Sequence, residues 1–143
     1  MTGTPIQTRP ARDMARPLPE GSFTVFLRGR PITATLTPRA RRAAEALGAA
    51  MVVEMELFFS CLLRKRLRFH QADTAPESVL EPVELYPGLS LLFRPIVAEV
   101  CNIDTLEGEP PVRTMPAKRA DAFIPKWVSI DHRSGDWVGE FGY

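Results

Sequence analysis

The sequence predicts an α+β domain: an N-terminal β-hairpin, one α-helix, then a strongly curved, mostly antiparallel, half-barrel-like sheet that ends in a C-terminal β-hairpin. Three observations carry this. Residues 51–70 alternate at a spacing of two, with nine of the ten odd positions apolar and Lys65 the exception. Ala40, Ala43, Ala44 and Leu47 fall on one face of a helix. Runs rich in β-formers flank glycine turns near both ends of the chain. Alternation marks a strand because successive side chains point to opposite faces, whereas a helix repeats every 3.6 residues.

The 143 residues make one domain by length. Residues 1–21 hold Pro5, Pro10, Pro17 and Pro19 with Arg9, Arg12 and Arg16 and show no apolar periodicity. They read as a flexible basic arm, and residues 22–143 as the folded domain. Within it, residues 23–27 and 32–36 form a hairpin about Gly29. Thr37-Pro38 starts the helix, since threonine caps well and proline suits the first helical position. Arg41 and Glu45 pair one turn apart on its polar face, and Gly48 stops it.

Glu54 and Glu56 decide between strand and helix for residues 51–70. On a helix they would lie about 200° apart, so one would enter the apolar face. On a strand both share the solvent side. A straight strand of that length would run roughly 66 Å, against a radius of gyration of roughly 14–15 Å for such a chain. It must therefore bend or break near residues 60–62. No Gly, Pro or Asn marks a turn there, which favours one long strand curled across a half-barrel.

Residues 71–87 read as a polar connection with a short strand at 83–85. Residues 89–101 are apolar at both parities, as in a strand covered on both faces, with a bulge or break at Arg94-Pro95. Residues 102–125 are a long proline-rich loop. In the last hairpin Arg133-Ser134-Gly135 forms the turn, which sets Trp127 opposite Phe141 and Ile130 opposite Val138.

The charge is asymmetric. Residues 1–70 carry a balance of +7 and residues 71–143 a balance of −6. Fifteen of the 18 cations are Arg, a ratio that a GC-rich coding genome explains, so their number alone argues nothing. Arg64, Arg66, Arg68 and His70 share one face of the central strand and are the candidate partner-binding residues, because Arg offers a planar donor fork to carboxylates and phosphates. The plainer alternative is a solvated face paired with glutamates of neighbouring strands, such as Glu81, Glu84 or Glu99.

No phosphate loop, dinucleotide fingerprint, zinc helix or nucleophile elbow occurs. Cys61, His70, Cys101 and His132 have the chemistry of a zinc site but not its short spacings, so no metal and no cofactor is assigned. Asp131, His132, Ser134 and Asp136 crowd a predicted turn, where side chains diverge, and no catalytic residue is assigned. No apolar run reaches a membrane span and no secretory signal is seen, so no membrane partner is expected. The two cysteines are expected to be reduced in a cytosol.

The leading expectation is a non-enzymatic cytoplasmic interaction protein, an accessory factor or subunit of a larger assembly that binds an acidic partner surface. Two others stand beside it. One is a small-molecule or metal-binding protein, an enzyme included, with a pocket inside the curved sheet. The other is a nucleic-acid binder acting through Arg64, Arg66 and Arg68.

Overall fold

Nine strands divide between two sheets, and two short helices complete a mixed α+β arrangement among the described residues. The structure, a computed structural model, describes residues 21–60, 62–98 and 112–143. The basic arm, apart from Gly21, lies outside them, as do Cys61 and residues 99–111.

β1 (Ser22–Leu27) pairs antiparallel with β2 (Arg30–Leu36). Arg28 and Gly29 both take positive φ, 50° and 79°, the type I′ pattern whose twist matches the flanking strands. α1 (Pro38–Glu45) follows; Thr37 Oγ1 accepts from Ala40 N at 3.1 Å, and Pro38 stands in the first turn. Ala40 and Ala44 are the residues it buries.

Residues 51–70 do not curl as one strand. They break into β3 (Met51–Phe59) and β4 (Leu63–Gln71), paired antiparallel from Met51↔Gln71 to Phe59↔Leu63. The turn needs no glycine because the Ser60 hydroxyl supplies its bonds. Oγ donates to Leu62 O at 2.7 Å and accepts from Leu62 N at 3.2 Å.

β5 (Val83–Tyr86) turns through Pro87-Gly88 into β6 (Leu89–Ala98). β6 lies parallel to β3 in unbroken register, Met51↔Leu89 to Phe59↔Val97. The bulge expected at Arg94-Pro95 is absent. Pro95 O accepts from Met115 N, so the position where its amide hydrogen would be faces away from β3, and the β3–β6 ladder loses nothing. That side of β6 lies between β5 and β7 (Val112–Thr114). Part of the expected long loop is therefore structured: β7, then α2 (Ala117–Ala120) and a 3-10 turn at Asp121–Phe123.

β8 (Trp127–Arg133) lies parallel to β2 and antiparallel to β9 (Asp136–Gly142). The expected register is off by one. Ser134 as well as Gly135 takes positive φ, 51° and 84°, so the turn has two residues rather than three. Val128 thus faces Phe141, and Ile130 faces Gly139.

One sheet runs β1-β2-β8-β9 and the other β4-β3-β6-β5, with β7 beside β6. The core lies between them: Ile32, Leu36, Val128 and Ile130 from the first meet Val53, Met55, Leu57, Leu91 and Phe93 from the second. Along one seam β4 meets β9, where Phe69 stacks on Trp137 at 5.8 Å. Glycine is required there: a Cβ on Gly139 would stand 2.6 Å from Leu67 Cδ2 and 2.4 Å from Ser129 O. No helix among the described residues is long and apolar enough to cross a membrane.

Candidate functional site

The face of the second sheet turned away from this core carries the candidate site. Val52, Glu54, Glu56 and Phe58 of β3 point there, opposite in parity to Val53, Met55 and Leu57. Yet Glu54 and Glu56 are only 1% and 3% exposed. The pleat places them side by side, and long cationic side chains from both flanking strands cover them. Glu56 lies opposite Arg66 on β4 and Arg94 on β6, and Glu54 lies opposite Arg68.

The bonds are specific. His70 Nε2 donates to Glu54 Oε1 at 2.7 Å, and Arg94 Nη1 to Glu54 Oε2 at 3.2 Å. Arg66 Nε donates to Glu56 Oε1 at 3.0 Å. Arg68 Nε lies 3.3 Å and Arg94 Nη1 3.5 Å from Glu56 Oε2. Arg94 therefore bridges the two carboxylates. The contacts of His70 and Arg94 with Glu54 are diagonal, the second-neighbour reach that long side chains manage across a sheet.

Three of the four residues singled out in the sequence, Arg66, Arg68 and His70, thus meet on one buried carboxylate pair. Arg64 stands apart from it, over the Phe58 ring at 5.7 Å. The glutamates they pair with are not those expected. Glu81 precedes β5 and Glu84 lies on it, and β5 is separated from β4 by β3 and β6; Glu99 is outside the described residues. Arg94 was missed as a member of the site. Its signal was a lone cation in an apolar run, which needs a partner if buried.

A third buried carboxylate sits on the other sheet. Asp131, 8% exposed, accepts from Thr37 Oγ1 (2.6 Å), Arg133 Nε (2.7 Å), Arg39 Nη2 (2.8 Å) and the His132 amide (2.7 Å). These bonds, the Thr37 hydroxyl first, hold its carboxyl well below the usual range. It ties the start of α1 to β8. It lies on a strand rather than in the turn, and the His132 ring packs instead against Trp137 at 4.9 Å. Adjacent strand residues face opposite ways, so Asp131 and His132 do not converge.

Of the four Cys and His positions only the histidines are described, one on each sheet. Among the described residues no cluster of three metal-ligating side chains occurs. Two shallow depressions lie at the surface. One, about 480 Å³, opens between the end of α1 and the β5–β6 turn, where Tyr86 Oη donates to Glu45 at 2.9 Å and this bond raises the phenol pKa. The other, about 260 Å³, lies beside Asp131, Arg133 and Glu140. The space between the sheets is filled by fully buried side chains, Phe93, Ile32, Met55 and Leu91 among them.

No family model matches the chain, and no curated protein and no solved structure matches it.

Proposed function

We propose that this chain is a non-enzymatic interaction protein, an accessory subunit working in the cytoplasm, that docks an acidic partner surface through the β3–β4 face. One observation carries the reading. Two buried carboxylates hold guanidinium groups of β4 and β6 at fixed positions on one sheet face, and Arg64 extends that charge toward the hairpin tip. Side chains ordered in advance lose less entropy on binding, and a like-signed surface steers an opposite partner. The curved, half-barrel wall of a ligand pocket belongs to the other reading, which no cavity between the described strands favours.

The test is capture from native lysate at low and high salt, followed by reconstitution with the purified partner. The variant is Arg64→Glu, because Arg64 lies outside the carboxylate pairs and its reversal leaves the fold standing. The reading expects an acidic protein, bound at low salt, released at high salt and lost to the variant while the thermal midpoint holds. Recovery of nuclease-sensitive material alone transfers the site to nucleic acid, whose binding falls steeply with salt. Recovery of nothing at either salt overturns a protein partner for this face.

A further inference from the structure

The end of the molecule at the β3–β4 tip collects exposed apolar side chains. Of the five large apolar residues exposed among the described residues, four sit there: Leu62 (68%), Leu63 (59%), Phe26 (60%) and Tyr143 (52%). Leu62 and Leu63 form the tip itself. The seam also carries Tyr143 to this end. Phe69 stacks on Trp137 and Leu67 meets Gly139, so β4 and β9 run antiparallel, and the same stagger sets Leu63 level with Tyr143. The Tyr143 hydroxyl donates to the Phe123 carbonyl, and the Phe123 ring packs on Phe59 at 4.9 Å. Arg28 binds Asp121 of the same 3-10 turn, which draws the β1–β2 tip and Phe26 to this end.

Cations surround these side chains. Arg30, Arg64, Lys65 and Lys126 are exposed here, and Asp121 is engaged by Arg28. Glu99, Asp104, Glu107 and Glu109 fall in residues 99–111, outside the described residues. Among the described residues named here, these four cations stand beyond the one carboxylate, Asp121, which Arg28 already holds.

We propose that this end docks on an anionic lipid surface, with Leu62 and Leu63 entering the acyl boundary, Tyr143 at headgroup level and Arg64, Lys65 and Lys126 on phosphates. The proposal rests on the acidic-surface reading above and names that surface. Shape and charge favour it. The apolar side chains project from two hairpin tips and from the end of β9, and the two depressions described lie elsewhere. A bilayer receives separate projecting side chains at once, whereas a protein needs pockets at matching spacing. Aromatic and basic side chains around an apolar tip are the pattern of interfacial binding. The missing membrane span does not bear on this, since surface docking needs none.

The test is co-sedimentation of the purified full chain with vesicles of phosphatidylcholine alone and of equimolar phosphatidylcholine and phosphatidylglycerol. The proposal expects sedimentation with the anionic vesicles only, lost at high salt. Leu62→Asp and Leu63→Asp should each weaken it about tenfold or more, as removing a buried leucine would. Lys65→Glu should weaken it too. All three side chains are exposed, so thermal midpoints should stay unchanged. Sedimentation indifferent to the leucine changes, or equal with both vesicles, overturns the proposal. If vesicles fail but a purified acidic protein binds and the leucine variants abolish that, the lipid assignment falls and the acidic-surface reading stands. If both fail, both fall. A mass that rises with concentration and drops in the leucine variants assigns the tip to a second copy of the chain.

Discussion

The two faces of β3 are equally buried and chemically opposite. Met55 and Leu57 on one side are 0% and 1% exposed, and Glu54 and Glu56 on the other are 1% and 3%. The inner face is dry because a second sheet covers it. The outer carboxylates are covered by cations that grow from their own sheet. The difference teaches that burial on a strand has two sources, and they fail differently. An apolar face loses contacts in proportion to what is removed. A charged face loses little while whole, and much when one partner is taken away.

The largest expected effect breaks the charged face. Glu54→Ala removes the acceptor of His70 and one of the two carboxylates that Arg94 bridges, so buried polar groups lose their partner. A loss of about 3–5 kcal/mol is expected by urea unfolding. An unchanged midpoint would show that water reaches the pair and that its burial is illusory. On the inner face Leu57→Ala should cost about 2–5 kcal/mol, spread according to how far the core relaxes. The sharper test replaces the charges together. Glu54→Leu with Arg94→Leu and His70→Phe should come out near neutral, because a buried ion pair often does no better than well-packed apolar groups. The buried Arg94 Nε, which makes no hydrogen bond among the described residues, points the same way. A loss as large as that of Glu54→Ala would mean that the ion pairs themselves hold the strand.

Gly139→Ala tests the seam that closes the inner face. Its Cβ would meet the backbone oxygen of Ser129 as well as Leu67, and only the side chain can yield. A cost of about 1–3 kcal/mol is expected. Loss of the near-ultraviolet signal of Trp137, where Phe69 stacks, would place the damage at β4 and β9.

The third carboxylate supplies the pH dependence. Asp131 has its pKa depressed by Thr37, Arg133, the His132 amide and Arg39. Its stabilisation is complete above the unfolded value of about 4 and is lost as pH falls below that. Urea midpoints should therefore fall more between about pH 5 and pH 3 in the parent than in Asp131→Asn, which carries no titrating carboxyl there. Parallel curves would show that these four donors do not act on the folded state alone.

Much of this was legible in residues. Alternation showed that 51–70 is strand, and Thr37-Pro38 placed the helix start. What stayed hidden depended on partners distant in sequence. Glu54 and Glu56 were rightly set on one face, but a lone strand cannot say that Arg94, forty residues on from Glu54, will lie beside them. Ser60 could replace a turn glycine only through its hydroxyl, and Ser134 could take positive φ only because the two-residue turn demanded it. The charged face was found through its cations while the anions that fix them went unread. Sequence shows charge, and only pairing shows which charge is committed to the fold.

Arg64 separates those two roles. It shares the face with Arg66 and Arg68 but bonds neither glutamate, and it covers the Phe58 ring instead. Arg64→Ala should cost no more than about 1 kcal/mol, the value of an exposed cation–π contact. The carboxylate-bound cations should each cost more. If Arg64→Ala is as harmful as Arg66→Ala, then the face is one cooperative network and none of its cations is spare for a partner. If it is nearly silent in urea yet lowers affinity for an acidic surface, the strand divides into an anchored half that builds the sheet and a tip that does the binding.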